Sequence, residues 1–133
     1  MRTIRRLIIH HSGAARVQTV ESIRRYHDGV VPYHLVIDGL AVLHHTKPIE
    51  EVGAHDAGEN SDSIGLCLIG DNTTPGQEWT REQIIRAKEV VLAFKILWPE
   101  GRVLGHRDEG PGGPVTKDTT LCPGVEVSEV FHV

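Results

Sequence analysis

Ser63-Ile64-Gly65-Leu66-Cys67-Leu68-Ile69-Gly70 is a nearly continuous apolar segment bounded by turn-forming and polar residues. A run this short, without polar alternation, reads as a strand covered on both faces and therefore as the middle of a sheet. The segments around it alternate between strand and helix. Residues 4–10 (Ile4-Arg5-Arg6-Leu7-Ile8-Ile9-His10) are β-branched and apolar, which predicts a second buried strand with a histidine at its end. Ser12, Gly13 and Ala14 break it. Thr19 is placed to cap a helix running to about Asp28, with Ile23 and the ring of Tyr26 on one face and Gly29 as its stop. Pro32 opens an extended run over residues 33–37, and Asp38-Gly39 predicts a tight hairpin that folds residues 40–45 back antiparallel.

Downstream of the central run, Thr80-Arg81-Glu82-Gln83 is a capping-box pattern. It introduces a long helix with Ile84, Ala87, Val91, Phe94 and Trp98 at helical spacing, and Pro99 and Gly101 end it. A last short strand over residues 102–105 delivers His106. Residues 107–121 hold Gly110, Pro111, Gly112, Gly113 and Pro114 and show no period, so they read as a long loop of the kind that carries function. This order of elements predicts an α/β protein.

The chain has 133 residues, enough for one hydrophobic core, and residues 1–133 are expected to form a single domain. Its 39% hydrophobic and 24% charged residues are those of an ordinary globular protein. A net charge of -4 excludes the basic face that nucleic-acid binding requires. No apolar stretch approaches the roughly 20 residues of a membrane span, so no membrane insertion is expected. Met1-Arg2-Thr3-Ile4-Arg5-Arg6 is basic, but only Leu7, Ile8 and Ile9 follow it before two histidines. That is short of a signal-peptide core, and the expectation is synthesis in the cytoplasm without a signal peptide. Cys67 and Cys122 are then expected to be free thiols. A monomer is the default.

Histidine is abundant, with nine in the chain. A catalytic zinc uses three protein ligands, commonly His nitrogens, a thiolate or a carboxylate, and keeps a fourth position open. His10, His106 and Cys122 satisfy that requirement. The two histidines stand at ends of expected strands, where side chains distant in sequence converge on one edge of a sheet. Spacing by itself does not select this set.

Six motifs occur in order: Ile8-Ile9-His10-His11-Ser12, Pro32-Tyr33-His34-Leu35-Val36-Ile37, Val52-Gly53-Ala54-His55, Asn60 with Ser63-Ile64-Gly65, Gly105-His106-Arg107-Asp108, and Thr120-Leu121-Cys122-Pro123-Gly124. Together, from about residue 4 to about residue 125, they resemble the type 2 N-acetylmuramoyl-L-alanine amidases, a family that includes phage lysis amidases and peptidoglycan recognition proteins. The resemblance implies a mixed central β-sheet flanked by helices, with zinc (Zn2+) at the floor of a substrate groove. It implies metal ligands His10, His106 and Cys122, catalytic roles for Tyr33 and Thr120, substrate contacts at His55 and Asn60, and peptidoglycan or a muropeptide as the partner. The implied activity is zinc-dependent hydrolysis of the amide between N-acetylmuramic acid and L-alanine. A peptidoglycan-binding module that does not cut, or a cytoplasmic amidase acting on recycled muropeptides, are the alternatives.

Two departures stand out. Thr120 occupies a position where some lytic relatives carry lysine, with Lys117 nearby in the loop, and Glu59 precedes Asn60 where relatives often have an aromatic residue. Strand alternation sends His10 and His11 to opposite faces, and His34 away from Tyr33, which makes His34 structural. Asp108 or Glu109 is expected to hold a histidine ligand by its second nitrogen. Cys67 reads as a small buried apolar residue.

Overall fold

In the computed structural model, which describes residues 2–108 and 120–133, the apolar run at 63–68 is the middle strand of a five-stranded sheet. In chain order the described elements are β1 (Arg6–His11), α1 (Val20–Tyr26), β2 (Leu35–Ile37), β3 (Leu43–His45), a 3-10 turn (Asn60–Asp62), β4 (Ser63–Leu68), α2 (Arg81–Leu97), β5 (Arg102–Gly105) and α3 (Val127–Phe131). The strands lie in the order β3-β2-β4-β1-β5. β1 pairs in parallel with both β4 and β5, β2 pairs in parallel with β4, and β3 runs antiparallel to β2. This is the expected α/β fold with a mixed sheet flanked by helices.

Strand alternation sorts the side chains into two layers. Leu7 and Ile9 of β1, Leu66 and Leu68 of β4, and Ile37 of β2 face α2 and α3, where they pack with Ala87, Val91, Phe94, Val127 and Phe131. The other face carries Val36, Cys67 and Ile69 against Ile23 of α1 and Val31. β4 is buried along its whole length, as its unbroken apolar sequence requires. The α2 capping box is formed: Gln83 N–H donates to Thr80 Oγ1 at 3.1 Å, and Thr80 N–H donates to Gln83 Oε1 at 2.9 Å. Gln83 is fully buried, and its amide also donates to the carbonyls of Ile69 at 2.8 Å and Asp38 at 3.0 Å. One side chain therefore caps α2 and ties it to the ends of β4 and β2.

Three details depart from the sequence expectations. Asp38-Gly39 does not make a two-residue hairpin. Residues 38–42 form a wider loop in which Asp38 Oδ1 accepts the N–H groups of Leu40 and Val42, and Ala41 rather than Gly39 takes the left-handed conformation. Gly39 is needed for a different reason, since a Cβ there would collide with the carbonyl oxygen of Arg16. Tyr26 does not join Ile23 in the core but is 82% exposed, because α1 ends there. α3 was not anticipated: it is short and lacks a side-chain N-cap, and it exists by docking Val127 and Phe131 onto the α2 layer.

The packing makes Leu66, which has no exposed surface, the reference core position. Leu66→Ala is expected to cost about 2–5 kcal/mol of unfolding free energy in urea titrations. Leu92→Ala, at a position of α2 that is 63% exposed, is expected to cost well under 1 kcal/mol. Equal losses at the two positions would contradict the assignment of the core.

Candidate metal centre and active site

The carboxyl ends of β1 and β5 lie side by side, because Ile9 pairs with Gly105 and the next residues are His10 and His106. Open α/β sheets bind ligands at this edge. His106 N–H continues the ladder by donating to Ile9 carbonyl at 3.1 Å, and Arg107 N–H donates to Cys122 carbonyl at 2.8 Å. His11 N–H donates to Cys122 Sγ at 3.3 Å. Backbone hydrogen bonds thus fasten three distant chain segments together. One ligand atom from each of His10, His106 and Cys122 lies within 4.8 Å of the others.

The donor set suits zinc. Cys122 Sγ stands 3.8 Å from His10 Nδ1. Nitrogen and sulfur ligands at the usual zinc distances, subtending a tetrahedral angle, lie about 3.6 Å apart, so the spacing matches two corners of one tetrahedron. Three protein donors would leave the fourth corner open, as catalytic sites do. Burial pushes the Cys122 thiol up to about 12; the His11 N–H opposes the rise, Asp56 adds to it and Arg107 opposes it. A cation among these donors would reverse that preference, because a coordinated thiol is deprotonated.

A hydrogen-bond chain sets the tautomer of His10, which is 1% exposed. Ser63 Oγ donates to Glu59 carbonyl at 2.6 Å, so it accepts at 3.2 Å from Nε2–H of His55. His55 Nδ1 is then an acceptor and takes the Nε2–H of His10 at 2.9 Å. This leaves the lone pair of His10 Nδ1 on the Cys122 side. His106 directs Nε2 toward Asp56 Oδ1 at 3.6 Å.

Tyr33 stands beside the cluster, its ring centroid 5.1 Å from that of His10. Burial, with the neighbouring Cys67 and Cys122, drives its hydroxyl far above the normal tyrosine range, so it stays protonated and acts as a donor. Thr120 Oγ1 accepts the Cys122 N–H at 3.2 Å. Tyr33, Thr120, Cys122 and the two histidines of the cluster, with His11, His27 and Ala54, line a cavity of about 340 Å³. A larger concavity of about 970 Å³ lies by α2 and α3, around residues such as Lys88, Leu92 and Phe131, away from the donor cluster.

His55 is buried against the sheet, its ring filling the space above Gly65, where a Cβ would lie 2.6 Å from the ring. Asn60 Oδ1 accepts the N–H groups of His55 at 2.9 Å and Asp56 at 2.8 Å. Glu59 pairs with buried Arg6 at 3.1 Å, which accounts for its place in this chain, and Asp62 binds the same guanidinium. His34 is fully buried and accepts Gly65 N–H at 2.9 Å. Cys67 has no exposed surface and is a free thiol, as is Cys122. Asp108, expected to support a histidine, accepts Gly105 N–H at 2.7 Å in the turn after β5, and the carboxylate near His106 is Asp56. Lys117, Glu109 and most of the loop after Arg107 lie outside the described residues. Sequence reasoning missed Asp56 and His27 at the site, because neither stands in a spacing that signals chemistry.

The chain is 27% identical over 99 residues to the endolysin of Enterobacteria phage K11, covering 69% of this chain and 66% of that protein. It is 26% identical over 138 residues to peptidoglycan-recognition protein LB of Drosophila melanogaster, covering 88% of this chain but 58% of that protein. It thus spans about two thirds or less of the length of these relatives. Among solved structures, the endolysin N-acetylmuramoyl-L-alanine amidase LysCS from Clostridium intestinale URNW superposes with a TM-score of 0.80 at 19% identity, covering 98% of this chain and 83% of that one. At that identity the likeness speaks to the fold. The sequence profile for N-acetylmuramoyl-L-alanine amidases matches residues 1–125, and the chain belongs to that family.

Proposed function

We propose that residues 1–133 form one amidase domain that hydrolyses the amide bond between N-acetylmuramic acid and L-alanine in peptidoglycan or its fragments, in the manner of a phage endolysin. The observation that carries this reading is the convergence of His10, His106 and Cys122 beside Tyr33, at the open edge of the sheet, in a chain of the amidase family. Zinc held by those three residues would supply Lewis acidity toward the scissile carbonyl and acidify a water molecule to near neutrality. The chain's own groups do the rest. Tyr33, protonated at every working pH, donates a hydrogen bond to the carbonyl oxygen as negative charge develops on it. Thr120, on the cavity wall, offers a second neutral donor where a lysine would offer a cation. The recognition-protein relative favours a second reading, in which the groove binds peptidoglycan without cutting it. The presence of the thiolate donor Cys122 argues for cleavage.

Two measurements test this. Digestion of purified peptidoglycan should release L-alanine amino termini without new reducing sugar ends, stop with a chelator and recover with zinc. Tyr33→Phe should keep zinc and the fold but lose turnover by about 100-fold or more. Retention on the wall with neither product would replace cleavage with binding, and a fully active Tyr33→Phe would remove its hydroxyl from the mechanism. A third measurement, of stability against pH, tests the state of Cys122. In the metal-free protein the Cys122 thiol ionises near 9 when unfolded but near 12 when folded. Between those values only the unfolded state releases the proton, so this group makes folding stability fall as pH rises from about 9 toward 12 and contributes no pH dependence below that window. Urea titrations of chelator-treated protein at pH 8 and 10 should show a smaller drop for Cys122→Ser than for the parent chain. Equal drops would contradict the assignment of a buried, neutral thiol.

A further inference from the structure

Both histidines of the cluster meet the same short loop. Residues 53–60 pass over the face of the sheet that carries His10, with the His55 ring above Gly65, and lead through the 3-10 turn into β4; Asn60 Oδ1 gathers the N–H groups of His55 and Asp56 at 2.9 and 2.8 Å. That clamp fixes two successive residues, and each meets a different histidine. His55 Nδ1 lies 2.9 Å from His10 Nε2, with Ser63 holding the far side of its ring. Asp56, 4% exposed, brings Oδ1 to 3.6 Å from His106 Nε2. Gly65 and Gly53 make the arrangement possible, since a Cβ at either would lie within 2.8 Å of the His55 ring.

From this geometry, and resting on the reading of the cluster as a zinc site, we infer that His55 and Asp56 are positioning residues for the metal and that Asn60 is the clamp that holds them. Each histidine ligand turns its Nε2 toward this loop, His10 at hydrogen-bond distance from His55 and His106 at 3.6 Å from Asp56, an orientation that would hold the rings with Nδ1 toward the metal. The charges also balance. A divalent zinc with one thiolate carries a net single positive charge, and the buried carboxylate of Asp56 offsets it where water is largely excluded. His55 and Asn60 then act through the metal ligands, and the loop's sequence matters through its Asn60-bridged turn.

The test is zinc affinity, read by competition with a chromogenic chelator, together with the melting temperature of the metal-free protein and the split between kcat and KM. Asp56→Ala and His55→Gln are each expected to weaken zinc binding about 10- to 100-fold while the metal-free melting temperature stays near that of the parent. Asp56→Asn, which keeps an acceptor oxygen, should recover part of the affinity. In zinc-saturated protein the variants should lower kcat with little change in KM. Parental zinc affinity in Asp56→Ala and His55→Gln would overturn the inference. So would an affinity loss matched by an equal loss of metal-free stability, with Asn no better than Ala at position 56. Because affinity is read without turnover, a zinc-binding parent that cleaves nothing overturns the amidase reading alone, whereas a parent that takes up no zinc overturns both.

Discussion

Strand β1 is hydrogen-bonded on both sides, to β4 and to β5, and that double pairing is the constraint on which the site depends. A strand locked between two neighbours cannot change register without sending every side chain to the opposite face. Leu7 and Ile9 are thereby committed to the α2 layer, and His10 to the face that carries the cavity. The same pairing places His106 beside His10, one residue past the end of the β5 ladder. Cys122 is drawn in by His11 N–H, at the end of the same strand. Core packing on one face thus fixes the donor geometry on the other.

The face that carries the donors is organised around polar groups in positions that water barely reaches. Burying such groups is costly unless each finds a partner, and here the partners form a chain from Glu59 carbonyl through Ser63 and His55 to His10. Further along the same face Arg6 is neutralised by Glu59 and Asp62. Helix α1 covers the β2–β4 half of this face through Ile23 and ends at Tyr26, and the cavity opens beyond it toward β1 and β5. The helix boundary therefore sets where the sheet is core and where it is accessible.

Much of this was legible in the sequence because local rules and global fold agree. The continuous apolar run at 63–68 marks the central strand, the Thr80–Gln83 capping box marks the start of α2, and Pro99 and Gly101 mark its end. What escaped the sequence has no local signal. Asp38-Gly39 satisfies a hairpin rule, yet the close approach of Arg16 to Gly39 and the Asx bonds of Asp38 produce a wider loop. α3 is too short to show periodicity and forms by tertiary docking. The convergence of His10, His106 and Cys122 was a candidate from strand ends and became specific through the ordered motifs. By contrast, the pairing of Asp56 with His106 depends on a loop conformation set by Asn60, which spacing does not encode. Gly65 reads in the sequence as one more small residue of a strand, and only the fold gives it the task of making room for His55.

In the proposed site one thiolate and two imidazoles from three chain segments would hold a catalytic-type zinc at the carboxyl edge of the sheet. X-ray absorption at the zinc K-edge, on protein loaded to a measured stoichiometry, tests it most directly. The expected result is one zinc per chain with one sulfur at about 2.3 Å, two imidazole nitrogens at about 2.0–2.1 Å and one light atom from outside the protein. A shell with two sulfurs, with no sulfur, or closed by four protein donors would contradict it.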